Sequence, residues 1–163
     1  MTSSKTPGDD AALTSLVYEF FNEIGIIAQL SGTMMRRALP EGMTMAQFSV
    51  LNHFARLGGE RTPAQLAASF QVTKGAITNT LQRLEAKGHI AIKPDETDRR
   101  RKIVTLTDVG LKTRNETIAA LAAPGRQLSQ TLDMEGLRTA LPFLKKVRAQ
   151  LDDARAAEDF ADV

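Results

Sequence analysis

The 163-residue chain contains no cysteine. That excludes disulfide bridges, thiolate metal sites and any sensor that works by thiol oxidation. Only two histidines occur, His53 and His89. Neither stands at a metal-ligand spacing, so no metal site is expected. No nucleophile, histidine and carboxylate fall at a suggestive spacing. There is no glycine loop of the phosphate-cradling kind and no paired carboxylates inside an apolar run. Asp152 and Asp153 are adjacent, but they lie in a polar tail and read as solvated. An enzyme and a bound cofactor are therefore not expected. No apolar run approaches the ~18 residues of a membrane span, and the N-terminus lacks the basic, apolar and small succession of a signal peptide. These absences point to a soluble, cytoplasmic protein without a membrane partner. No internal repeat or low-complexity linker is seen.

What is present suits a globular protein. The length allows one domain with a real core. The net charge is only +2, but it is unevenly spread. Between Gln71 and Lys102 stand eight basic residues against four acidic ones, so the positive field is concentrated there. A local basic surface of this kind suits phosphate binding.

The rest of the chain is organised around Thr62 to Thr107. Thr62-Pro63-Ala64-Gln65 combines a hydroxyl cap, a proline at the first helical position and a glutamine three residues after the cap. That is a capping box, with the proline where its missing N–H does no harm. Leu66, Ala67 and Phe70 give this short helix its apolar face. A second helix opens at Thr73, with Val72 and Ile77 spaced for a hydrophobic staple. Ile77, Leu81 and Leu84 share one face. The opposite face carries Gly75, Asn79, Gln82 and Arg83, with Thr78 at its edge. Small and polar groups there suit either a solvated face or a helix lying in a major groove.

The segment that follows favours the groove. Gly88 permits a left-handed cap. Ile90 and Ile92, then Val104 and Leu106, alternate with more polar neighbours as in two half-buried strands. Between them lie turn formers from Pro94 and the cluster Arg99, Arg100 and Arg101. An arginine at a hairpin tip can enter a narrow minor groove, where the negative potential is strongest. Asp98 is two residues before Arg100, on the same side of an extended segment, so its carboxylate could brace the guanidinium. The order of elements is that of a winged helix-turn-helix.

The run from Asp98 through Thr107, followed by Gly110, resembles the wing signature of the multiple antibiotic resistance regulator (MarR) family. Arg83-Leu84-Glu85 with Gly88 resembles the end of that family's recognition helix. The similarity is specific over about residues 44–110. It implies a homodimeric transcription regulator whose recognition helices enter successive major grooves, with Asp98 orienting Arg100 in the minor groove. It also implies a cleft between the dimerising helices and the reader, open to a small aromatic or phenolic effector. Some members of the family sense oxidants through cysteine; this chain has none and would need another trigger.

The flanks read as helical arms. Leu13, Leu16, Val17, Phe20, Ile24, Ile27 and Ala28 recur at helical spacing, and the run ends at Pro40 and Gly42. It is too apolar for a lone surface helix. Thr44 to Gln47 is a second capping box, opening a helix through Phe48, Leu51 and Phe54. Glu60 and Arg61 fit a short edge strand. Thr107 caps a fifth helix, which Pro124-Gly125 should interrupt. Asp133 caps the last helix, where Leu137, Ala140, Leu144, Val147 and Leu151 form a heptad-like seam that Pro142 should bend. The tail from Asp152 should fray.

The expected fold is mainly α with a small β-hairpin wing: a winged helix-turn-helix plus N- and C-terminal dimerisation helices. One domain would span 11–158, with the reader at 44–107, dimerisation helices at 11–40 and 108–158, and tails at 1–10 and 159–163. The expected function is a sequence-specific, dimeric, ligand-responsive repressor of transcription on a pseudo-palindromic operator in double-stranded DNA. Thr73 and Lys74 would fix the helix N-terminus on phosphate. Thr78, Asn79 and Gln82 would reach base edges, and Arg83 and Lys87 would hold the backbone. Arg100 would read the minor groove, flanked by Arg99 and Arg101. Phe20, Ile24, Met35, Phe48, Asn52 and His53 are the candidate effector pocket, against the simpler reading that they are core. The alternative is a winged helix used for protein–protein interaction, which would need an exposed apolar patch on the second helix.

Overall fold

The computed structural model describes the main chain of residues 7–161 and the side chains of 10–122 and 125–154. Two compact units divide at Leu121–Ala122.

The first unit contains α1 (Pro7–Ala38), α2 (Met45–Leu57), α3 (Pro63–Phe70), α4 (Lys74–Ala86), β1 (Ile90–Pro94), β2 (Lys102–Leu106) and α5 (Asp108–Ala120). Its core gathers Phe48, Leu51 and Phe54 of α2, Leu66 of α3, and Ile77, Leu81 and Leu84 of α4, with Ile90 and Val104 of the strands. Burying each such side chain contributes about 1.5–3 kcal/mol, so the helix-turn-helix and the wing share one hydrophobic cluster. Both capping boxes form. The Gln47 and Gln65 amides accept from the Thr44 and Thr62 main-chain N–H groups at 2.9 Å, and the threonine hydroxyls accept in return at 3.2 Å. The reciprocal bonds also satisfy Gln47, which is buried. Between α3 and α4 the chain turns through Gln71 at φ 51°, with Val72 N–H bonded to the Ala67 carbonyl. This left-handed cap is made without glycine.

The wing is an antiparallel pair in which Ile92 faces Val104 and Pro94 faces Lys102. The short edge strand expected at Glu60–Arg61 is reduced to one bridge, in which Arg61 and Val104 exchange both main-chain hydrogen bonds. Thr62 immediately begins the cap of α3, so the extended segment has no room to grow.

Helix α1 begins at Pro7, four residues before its expected start, so the expected tail 1–10 is helical over 7–10. Proline is pre-organised for a first helical position. The remainder of that tail lies outside the described residues. Met35 near the C-terminal end of α1, and Leu39 just after it, pack on the core. Further back it presents Leu16, Ile27 and Leu30 at 63%, 61% and 68% exposure. Contrary to the expectation that nothing approaches a membrane span, Asp10–Ala38 is long and apolar enough to cross a bilayer by length and composition alone. Interspersed Asn, Gln, Ser, Thr and Gly hide this from a search for unbroken runs. Glu23 lies midway along the helix, and a carboxylate at a bilayer centre costs about 3 kcal/mol or more. A protein surface suits this face better.

The second unit contains α6 (Ala122–Ser129) and α7 (Met134–Ala161). The helical break falls at Leu121, ahead of the expected Pro124. Pro124 instead sits in the first turn of α6, where no intrahelical donor is lost. Asp133 caps α7 as expected, accepting from Glu135 and Gly136 N–H at 2.9 Å. The helix continues through Pro142 and reaches Ala161, so the expected fraying from Asp152 is absent over 152–161. Alanines at 154, 156 and 157 favour that continuation. The seam residues Leu137, Leu144 and Leu151 are exposed.

Candidate nucleic-acid interface

Helix α4 owes its start to Thr73, whose hydroxyl accepts from Ala76 N–H at 3.2 Å. Its inner face is fixed by Ile77, Leu81 and Leu84, each no more than 3% exposed. Gly75, Thr78, Asn79, Gln82 and Arg83 are therefore turned outward, and all are exposed. Thr78 returns its hydroxyl proton to the Lys74 carbonyl at 2.7 Å. It meets a partner through its methyl group and oxygen lone pairs.

The wing tip is held by two carboxylates. Asp95 Oδ1 accepts from the Thr97 hydroxyl and N–H at 2.7 and 2.8 Å, and from Asp98 N–H at 3.4 Å. The Thr97 hydroxyl and N–H hold the Asp95 carboxyl below its ordinary pKa, aided by Asp98 N–H and Arg101. Asp98 Oδ1 accepts the main-chain N–H of Arg100 at 3.0 Å, and the Asp98 carbonyl accepts from Arg101 N–H at 2.8 Å. The expected brace from Asp98 to the guanidinium is thus a brace to the Arg100 backbone. An aspartate two residues upstream closes a local turn more readily than it reaches the end of a long arginine.

Two grooves flank α4. One, of about 510 Å³, is lined by Thr62 to Ala64, Lys74, Ile77, Thr78, and Arg100, Arg101 and Lys102. It brings the helix N-terminus and the wing cations to one channel. The other, of about 240 Å³, lies between Thr44, Gln47, Ala76, Asn79, Thr80 and Arg83. Arg99 and Gln82 are exposed beyond them. Lys87 is placed differently: its ammonium donates to the Gly42 carbonyl at 2.8 Å.

The candidate effector residues are dispersed. Phe48 is core, Met35 packs on the core, and Phe20 meets Phe21 edge-on. Ile24 is half-buried on α1. His53 stacks near Phe54 and Phe70. Asn52 accepts from Nε and Nη2 of Arg114 at 3.1 and 3.0 Å, tying α2 to α5. None of the six lines either groove.

The expected Thr107 cap forms beside longer-range contacts that carry no local sequence signal. The Thr107 hydroxyl caps Gly110 N–H at 3.1 Å and donates to the Gly88 carbonyl at 2.7 Å. Gly110 passes so near the His89 carbonyl that a methyl there would overlap it and come within 2.8 Å of Leu106 Cδ1. His89 N–H in turn bonds the Leu84 carbonyl at 2.9 Å. One junction thus sets the end of α4, the start of the wing and the start of α5.

The sequence model of the MarR family matches residues 41–101, the segment from the α1–α2 turn to the wing arginines. Over that segment the chain is similar to MarR-family regulators. It is 33% identical over 93 residues to the transcriptional activatory protein BadR of Rhodopseudomonas palustris, a match covering 56% of this chain. The chain spans about half (53%) of that relative's length. Wild-type MarR from E. coli in its apo form is 29% identical, with a TM-score of 0.65 over 77% of this chain and 94% of that one. A mutant E. coli MarR complexed with operator DNA is 28% identical, with a TM-score of 0.63 over 83% and 97%. These likenesses agree with the winged helix built above.

Proposed function

We propose that this chain is a sequence-specific, DNA-binding transcription regulator that works as a homodimer on a pseudo-palindromic operator in the cytoplasm. The observation that carries the reading is the groove joining Lys74 at the α4 N-terminus to Arg100, Arg101 and Lys102 of the wing. A helix N-terminus attracts phosphate, and cations on both sides extend that attraction along a DNA backbone. Asn79 and Gln82 then face outward, and each amide has the donor and acceptor that adenine requires. E. coli MarR, of the same fold, has been crystallised with operator DNA. The exposed apolar faces of α1 and α7 supply surface for a second copy.

Repression relieved by a small aromatic or phenolic effector is the regulatory mode we infer, from the family resemblance. The BadR relative is named a transcriptional activatory protein, so activation is the alternative to repression. The polar outer face of α4 disfavours a protein-interaction module, which needs an apolar patch. Gel shift of purified protein against genomic fragments tests the reading. Retention of a few fragments in the presence of excess mixed-sequence competitor supports it. Uniform retention or none refutes it.

A further inference from the structure

Lys87 caps α4, and among the described residues its ammonium makes the one side-chain hydrogen bond that joins α4 or its cap to the turn after α1. The acceptor is rigidly mounted. Gly42 adopts φ +69°, Met43 N–H closes the turn on the Pro40 carbonyl at 3.0 Å, and the Met43 side chain is buried in the core. The donor is also fixed. Gly88, the next residue, adopts φ +69°, and His89 N–H bonds back to Leu84. Both ends of the contact therefore rest on turns whose backbone favours glycine.

We propose that Lys87 is a positioning residue whose ammonium struts the C-terminal end of α4 against the Gly42 carbonyl, and that it does not neutralise a DNA phosphate. The inference rests on the DNA-reading function proposed above. The field at this end of the helix supports it. Unpaired carbonyls make a helix C-terminus partly negative, which attracts an ammonium and repels phosphate. Arg83, one turn earlier, contrasts with it: it lines an open groove and has no hydrogen-bond partner among the described residues. The strut fixes the pitch of the reading helix relative to the turn that carries α1. The held ammonium also faces His89, whose pKa is lowered by burial first and by Lys87 second.

The test compares wild-type protein with Lys87→Met and Arg83→Met on a mixed-sequence DNA duplex, reading the slope of log affinity against log salt. A lost phosphate contact lowers that slope by about one per protomer. The strut predicts an unchanged slope for Lys87→Met, beside a reduced one for Arg83→Met. A slope reduced by about one in Lys87→Met overturns the inference. A second arm uses no DNA: nuclear magnetic resonance follows the Gly42 carbonyl shift and the His89 titration. The strut predicts that Lys87→Met moves the carbonyl resonance and raises the His89 pKa; unchanged values overturn it. Wild-type protein that ignores the duplex refutes the DNA-reading function, and the second arm still decides the strut. Circular dichroism checks folding, and Lys87→Gln takes the place of the methionine variant if that variant does not fold.

Discussion

Asp98 Oδ1 accepts the main-chain N–H of Arg100 at 3.0 Å, and no hydrogen bond or ion pair joins that carboxylate to the Arg100 guanidinium among the described residues. The aspartate shapes the turn, and the arginine side chain is left to a partner. An acceptor oxygen is what the turn requires, not a charge. Asp98→Asn should therefore keep the wing and bind DNA at least as tightly, since a negative charge near phosphate is removed. Asp98→Ala should weaken binding, because the turn loses its acceptor. Arg100→Ala should cost about 1–3 kcal/mol per protomer, the range for a good arginine contact. Fluorescence anisotropy on a selected operator ranks the three. Tighter binding by Asp98→Ala, with the fold intact, would refute the brace.

Gly110 illustrates a second constraint. Any side chain there meets the His89 carbonyl and Leu106. Gly110→Ala should destabilise the protein by about 1–3 kcal/mol, as overpacking does. Denaturant unfolding measures it. An unchanged midpoint would mean that α5 shifts away from the strand without cost.

Stability should fall on acidification below the ordinary histidine range. His89 has its pKa lowered from 6.5 by burial and by Lys87, so the folded state resists the proton that the unfolded chain accepts. Its contribution is present above 6.5 and is lost as pH falls through the lowered folded value. Asp95, also lowered, adds a loss that begins near its ordinary 3.8. Melting temperatures from about pH 8 to pH 5 should decline, and His89→Gln should flatten the decline. A decline unchanged by the variant assigns the effect elsewhere.

The exposed apolar residues of α1 and the Leu137, Leu144 and Leu151 seam of α7 predict an obligate dimer. Sedimentation at low micromolar concentration should give twice the 17.8 kDa chain mass. A folded monomer under those conditions would contradict the prediction.

Local signals made most of the reader legible in the sequence. The caps at Thr44, Thr62, Thr73 and Thr107 act within three residues, and each forms as its spacing implies. The alternation of Ile90, Ile92, Val104 and Leu106 marks both strands because one face meets the core. Features that are less legible depend on distant partners or on competing local rules. The bond from the Lys87 ammonium to the Gly42 carbonyl joins residues 45 apart and has no local signal. The bond from Arg114 of α5 to Asn52, 62 residues apart, likewise has no local signal. Pro124 draws attention to itself, yet the break precedes it at Leu121, because a proline is tolerated in a first helical turn.

The central claim is that α4 and the wing dock together on DNA, in pairs. The most direct measurement is operator affinity as a function of salt, combined with a footprint of the bound duplex. Two readers contacting ~6–10 phosphates should lose ~10³–10⁵-fold in affinity between about 50 and 200 mM salt. The footprint should show half-sites about 10 base pairs apart, centre to centre. A flat salt response, or a single protected half-site at saturation, would contradict the account.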